Sequence, residues 1–291
     1  MKLRCDLHSH STVSDGTLSP TELVQRAHEH DVEVFALTDH DATEGLKEAA
    51  NAAASLDMLF VPGIELSVTW SHQTVHIVGL GINPDDEKLN QGLMTLREFR
   101  GRRGEEIATK LEKAGLEAPL EGAKKYANGE ILSRTHFARY LIEQGKAKNM
   151  KQVFKRYLVK GKPGYVAGNW ASLEDALSWI QGAGGIAIIA HPARYKFSAT
   201  RLRHLIAEFK ALGGIGFEAI SGSHSPDEEL RMAQLANQFE LYISKGSDFH
   251  SPDSVYRELG ALQDIPVGSV PLWHSESWIE KIGSITGKSS S

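Results

Sequence analysis

A chain of 291 residues, 41% hydrophobic and 24% charged, is long enough for a full-sized core and has the composition of an ordinary globular protein. Its single cysteine, Cys5, excludes an intramolecular disulfide framework and a cysteine-rich zinc cluster, so any metal must be held by nitrogen and oxygen. Lys2, Arg4 and Asp6 interrupt any apolar leader and no apolar run approaches a membrane span, which makes the cytoplasm the expected location and excludes a membrane partner.

Leu3, Cys5 and Leu7 alternate with Lys2, Arg4 and Asp6, the period of a short strand with one buried face. Continued onward, that strand points His8 and His10 the same way, about 6 to 7 Å apart along the backbone, near enough to share one divalent ion. His8 to Leu18 reads as a polar loop carrying Asp15. Ser19-Pro20-Thr21-Glu22 then combines an N-cap serine, a proline at the first helical position and a glutamate placed to close a capping box, so a helix runs to about His30. Val32 to Leu37 suits a buried parallel strand and ends on Thr38-Asp39-His40. The alanine-rich run Thr43 to Leu56 predicts a helix, and Met58 to Val61 a strand, with Glu65 following Pro62-Gly63-Ile64. Glu65 to Trp70 and Thr74 to Gly79 read as two strands joined by a tight turn at Ser71-His72-Gln73, with His76 in the second.

From Asp85 the rhythm changes to helical spacing: Leu89 to Leu111, Leu120 to Ala127, Thr135 to Gln144 and Met150 to Leu158. Between Gly101 and Pro163 ten Lys and five Arg stand against seven Glu and no Asp, a local charge of +8, which leaves −13 on the rest. A helical insertion is expected at 99–163, bounded by Gly161-Lys162-Pro163-Gly164, and its positive charge suits a cover over a phosphate-bearing substrate. Within it Ser133-Arg134-Thr135-His136 opens a helix, whose N-terminus is a natural anion site. Alternation then resumes: a capped helix from Ser172, a strand from Gly185 to Ala190 ending at His191-Pro192, a helix from Thr200 to Leu212, and a strand from Ile215 to Ile220 followed by His224. A helix starts at Ser225-Pro226-Asp227-Glu228, and a strand from Leu241 to Ser244 leads to Asp248 and His250. Trp273 and Trp278 are expected to pack, and Gly287 to Ser291 to fray. The result is an α/β barrel of about seven strands, whose polar residues just past the strand ends meet on one face. Those imidazoles and carboxylates are too many for one four-coordinate ion and fit two or three ions bridged by a carboxylate, while ligand type alone does not choose among zinc, iron and manganese.

Asp6-x-His8-x-His10 with Asp15, then Thr38-Asp39-His40, Glu65, His76, His191-Pro192 and Asp248-x-His250, in that order, resemble the motifs of the polymerase and histidinol phosphatase (PHP) phosphoesterases over almost the whole chain. The resemblance implies a distorted (β/α)7 barrel at 1–98 and 164–291 with the helical insertion domain between. It also implies three divalent ions per chain, manganese first and zinc or iron as alternatives. One ion would be held by His8, His10, Glu65 and Asp248; a second by Glu65, His76 and His191; a third by Asp15, His40 and His250. Asp39 would orient the site rather than bind. The insertion and the Arg134-x-His136 turn further resemble the bacterial subgroup that hydrolyses nucleoside 3′,5′-bisphosphates, some of whose members also trim short RNA from its 5′ end. A nucleotide or short oligoribonucleotide is thus the expected substrate, with no stable duplex DNA partner. The mechanism implied is attack on phosphorus by a hydroxide bridging the ions, with Arg134 and Arg194 steadying the phosphoryl oxygens. His136 and His224 are candidates either for a second phosphate or for protonating the leaving oxygen. Two other readings are a histidinol-phosphate phosphatase, which the basic insertion argues against, and a nucleic-acid-binding module without activity, which the intact ligand set argues against.

Overall fold

The computed structural model describes residues 3–129, 131–253 and 257–283. Its strands β1 (Cys5–Asp6), β2 (Val34–Leu37), β3 (Leu59–Trp70), β4 (Gln73–Leu80), β5 (Ile186–Ile189), β6 (Gly216–Ser221) and β7 (Tyr242–Gly246) pair in chain order. β4 runs antiparallel to both its neighbours and the remaining pairs are parallel. The seam between the first and last strands closes just beyond β1: Leu7 N–H donates to Lys245 O (3.1 Å), Asp248 N–H donates to His8 O (2.9 Å), and Ser9 bridges Phe249. Asp6, buried in this seam, accepts from the backbone N–H of Ser247 (2.8 Å) and of Gly260 (3.0 Å). The expected α/β barrel is therefore present and nearly closed.

Two strands depart from the sequence expectation. β1 stops at Asp6 rather than continuing through His10; beyond it only an isolated bridge from Ser9 to Phe249 remains, and the Ser9 N–H goes to the Thr38 side chain (Oγ1, 3.1 Å) while its Oγ donates to Ala36 O (2.8 Å). β3 is one strand of 12 residues where two were expected. Leu59 to Pro62 pairs with β2, and Gly63 to Trp70 pairs with β4, so Pro62-Gly63 is where the strand changes partner rather than where it ends. A Cβ on Gly63 would lie 2.8 Å from Thr38 Cγ2, so glycine permits this close passage. The hairpin to β4 turns on Ser71 and His72, both at positive φ, the backbone of a two-residue turn that matches strand twist.

The helices are α1 (Pro20–Glu29), α2 (Leu46–Ser55), α3 (Glu87–Lys113), α4 (Pro119–Lys124), α5 (Arg134–Glu143), α6 (Met150–Val153, continued by a π turn at Phe154–Leu158), α7 (Leu173–Gly182), α8 (Ala199–Ala211), α9 (Pro226–Gln238) and α10 (Glu276–Lys281). The capping boxes read at Ser19 and Ser225 are both formed. Leu89, Leu93 and Leu96 of α3 bury in the barrel core, while its Ile107, Ala108 and Leu111 bury with Phe137, Leu141 and Val153 in a second core. One long helix thus contributes to both cores. Trp278 is fully buried and Trp273 partly so, and the tail from Gly287 lies outside the described residues. Among the described residues no helix is long and apolar enough to cross a membrane.

Candidate metal centre

Each ligand-type side chain is delivered by a specific backbone feature. His8 and His10 follow β1, and a Cβ on Gly246 of β7 would lie 2.2 Å from His8 Cβ, so glycine there makes room for the first imidazole. His40 follows β2, His191 follows β5, and Asp248 and His250 follow β7. Asp41 (φ 50°), His191 (φ 28°) and Asp248 (φ 54°) adopt left-handed backbone, which is costly for residues with a Cβ and turns these loops inward. Glu65 and His76 lie inside β3 and β4 instead of beyond a strand end; the antiparallel hairpin points both into the barrel mouth.

All nine expected ligands meet. Glu65 is the hub: its Oε1 lies 2.8 Å from His76 Nδ1, 3.0 Å from His191 Nε2 and 3.3 Å from His8 Nε2, and its Oε2 lies 2.7 Å from His40 Nδ1 and 3.3 Å from His10 Nε2. Asp248 Oδ1 stands 3.4 Å from His10 Nε2 and 3.5 Å from His250 Nδ1, and Asp15 Oδ1 stands 3.2 Å from His250 Nε2. Ligand atoms lie within 4.8 Å of one another in four overlapping groups: His10, Asp15, His40 and His250; His8, Glu65 and His191; His8, His10 and Asp248; and His40, Glu65 and His76. The partition differs from the implied one in that His191 groups with His8, and His76 with His40, each across Glu65.

Electrostatics prepares these groups to bind cations. Burial, reinforced by neighbouring His250 and His40, pushes the His10 imidazole down to about 3. Burial and Arg194 push His191 down to about 3 as well. Both rings are therefore neutral at neutral pH, the form that ligates. Burial alone would raise Glu65, Asp15 and Asp248, yet the histidines around Glu65 and Asp15, and Arg194 with His250 beside Asp248, hold all three well below the ordinary carboxylate range. His40 shows the complementary effect, raised to about 9 against its burial by Glu65 and Asp15. His10 Nδ1, Asp15 Oδ1, His40 Nδ1, Glu65 Oε2 and His191 Nδ1 are buried without a hydrogen-bond partner, although His40 Nδ1 and Glu65 Oε2 are close. Unpartnered buried donors and acceptors are costly, and ionised carboxylates beside imidazoles, with His10 and His191 already neutral and His8, His40 and His250 giving up a proton on binding, form a nitrogen and oxygen donor set suited to divalent ions.

Residues 6–183 match the family model described as the PHP domain. This chain belongs to the PHP domain family. A 3′,5′-nucleoside bisphosphate phosphatase from Chromobacterium violaceum is 49% identical over 269 residues, which cover 92% of this PHP chain and 94% of that protein. A 5′-3′ exoribonuclease from Haemophilus influenzae is 44% identical over 273 residues, 94% of this chain and 99% of its own. A solved amidohydrolase structure from Chromobacterium violaceum, with bound sulfate and no metal, superimposes with a TM-score of 0.90 at 48% identity, over 93% of this chain and 94% of the other. The family expectation is borne out, and so is the expectation of an enzyme that hydrolyses phosphate esters.

Around the PHP ligands stands a ring of supporting groups. Asp39, fully buried, accepts from Ser11 N–H (2.8 Å), Ser11 Oγ (2.6 Å) and Ser14 Oγ (2.5 Å), which clamps the loop between His10 and Asp15. His8 Nδ1 donates to Glu218 Oε2 (2.6 Å) on β6, and Tyr195 Oη, which accepts from His76 N–H (2.9 Å), donates to Ala190 O (2.7 Å). Arg194 and Arg257 both reach Asp248 Oδ2, at 2.5 and 3.1 Å, so Arg194 is paired with a carboxylate of the centre. Arg134 lies over the Phe154 ring (5.4 Å) and has no carboxylate within salt-bridge distance among the described residues. His136 is fully buried; its Nδ1 accepts from Ser133 N–H (3.3 Å), and burial lowers it to about 4. His224 is occupied elsewhere: Nε2 accepts from Ala193 N–H (3.2 Å) and Nδ1 donates to Ala219 O (3.1 Å). With both ring nitrogens on backbone it braces the loop after His191. Glu218, Tyr195 and Arg257 were not singled out in the sequence, where no short-range pattern marks them.

Proposed function

We propose that the protein is a metal-dependent phosphoesterase that removes a terminal phosphate from nucleoside 3′,5′-bisphosphates and also shortens 5′-phosphorylated oligoribonucleotides from the 5′ end. One observation carries the reading: imidazoles and carboxylates from position 8 to position 250 converge around Glu65, in a chain 49% identical to a relative named as a nucleoside bisphosphate phosphatase. The relative named as an exoribonuclease supports the second substrate. Three ions are proposed, manganese in first place, held by His8, His10, Glu65 and Asp248, by Glu65, His76 and His191, and by Asp15, His40 and His250; the proposed compartment is the cytoplasm. When bound, such ions polarise phosphoryl oxygens and make a coordinated water acidic enough to attack at neutral pH.

The chain's own groups supply orientation and charge. Glu65 presents both oxygens to five imidazoles and fixes their relative placement. Arg134, free of a described carboxylate partner, is proposed to grip phosphoryl oxygens in the bidentate manner of guanidinium. Arg194 holds Asp248 and offers its remaining N–H groups to the same oxygens. The +8 insertion attracts a second phosphate. Manganese-loaded protein is tested on adenosine 3′,5′-bisphosphate, histidinol phosphate and 5′-phosphorylated short RNA, with phosphate release from the first and 5′-end trimming of the third expected. Turnover of histidinol phosphate alone would overturn the substrate, and inactivity on all three with metal bound would favour a binding module.

A further inference from the structure

The helical insertion touches the metal centre at two places. At the start of α5, Ser133 Oγ donates to Asp15 Oδ2 (3.0 Å), and farther along the same helix Arg139 donates to the backbone carbonyls of Asp15 (2.6 Å) and Gly16 (3.3 Å). From α3, Arg100 Nε donates to Asp41 Oδ2 (2.7 Å) and its Nη2 to Ser67 Oγ (2.8 Å). Asp41 directly follows His40 in left-handed backbone, and its other oxygen accepts from Ser67 N–H (2.8 Å), two residues past Glu65. Ser133, Arg100, Asp15 and Asp41 are all buried, and the Trp170 ring packs over the Arg100 guanidinium at 4.8 Å. Asp15 and His40 share one group of ligand atoms, with His10 and His250. The supports of the other groups come from the barrel: Glu218 holds His8, and Arg194 and Arg257 hold Asp248.

We propose that the insertion completes one cation group, with Ser133 and Arg100 as positioning residues for Asp15 and His40, so that divalent-ion occupancy of the Asp15, His40 and His250 group is linked to the seating of the insertion. The inference rests on the metal reading above. Linkage runs both ways: a seated insertion tightens this group, and an ion bound there tightens the insertion.

The test uses the full chain and Mn²⁺ alone, titrated calorimetrically and by electron paramagnetic resonance, with hydrogen exchange followed over residues 131–145. Ser133→Ala and Arg100→Lys are each expected to weaken one class of Mn²⁺ site by about 10- to 100-fold and leave the other classes within about threefold, the range seen when a ligand-orienting group is lost. Ser133→Thr, which keeps the hydroxyl, restores that class. Ser133→Ala adds nothing further to Asp15→Asn for this class, because Ser133 acts through the Asp15 carboxylate. Mn²⁺ slows exchange over 131–145 in the wild type and much less in Ser133→Ala. Melting temperature is no readout, since Ser133 also caps α5 through Thr135 N–H. Unchanged Mn²⁺ binding in both variants, or equal weakening of every class, would overturn the proposal and leave the metal reading standing; a wild type that takes up no Mn²⁺ would overturn both.

Discussion

Glu218 shows how one unremarked side chain can set the chemistry of another. Its 2.6 Å contact occupies His8 Nδ1, so the imidazole turns Nε2 toward Glu65 and Asp248. The same pair holds His8 well above the ordinary histidine range, because Glu218 and Glu65 together outweigh a burial that would lower it. Glu218→Ala should weaken Mn²⁺ binding by about 10- to 100-fold, and Glu218→Gln less, since an amide oxygen still accepts from Nδ1; calorimetric titration of the two variants checks the order. His191→Ala should abolish turnover while far-UV circular dichroism stays native, because the ring it removes sits 3.0 Å from the Glu65 hub at a loop; near-normal rates would remove it from the site. The histidines were legible because His-x-His and His-Pro at strand ends are short-range patterns. Glu218 was not, because its partner is 210 residues away and a glutamate in a six-residue strand looks like any other.

Among the elements, those whose start is written within four residues were legible, and those decided by distant pairing were not. The helices at Ser19 and Ser225 begin where their capping boxes say, since each bond closes within three residues. α2 begins at Leu46 and not Thr43, behind Gly45, which offers no side-chain cap. β3 escaped because Pro62-Gly63 reads locally as a break, whereas the strand survives by exchanging a parallel partner for an antiparallel one. β7 carries a constraint of the same long-range kind at Gly246, whose missing Cβ leaves space for His8. Gly246→Ala should cost about 1 to 3 kcal/mol, the usual penalty for overpacking a tight core, and should weaken metal binding as His8 is displaced. Urea unfolding midpoints with and without Mn²⁺ measure both effects, and a neutral substitution would show that the strand has slack there.

Across the whole molecule, the centre gathers three buried carboxylates held ionised, so ions at the proposed sites would favour the folded chain over its unfolded form. Mn²⁺ should therefore raise the melting temperature with concentration, by about 4 kcal/mol of stabilisation at a thousand times the dissociation constant, and chelation should reverse it; a melt indifferent to both would contradict the metal reading. The charge split between residues 101–163, at +8, and the remainder, at −13, makes a second expectation for the proposed insertion. KM for a bisphosphate should rise with ionic strength more steeply than KM for a monophosphate, as screening weakens long-range attraction to the insertion; equal slopes would argue against a cover that attracts phosphate. The barrel seam has one more consequence, for how the protein is made. A ribosome releases His8 and His10 well before Asp248 and His250, with synthesis running at about 5 to 20 residues per second. A nascent chain that stops short of Asp248 and His250 lacks the partners that lock its N-terminal imidazoles, so the centre is assembled only after both have emerged.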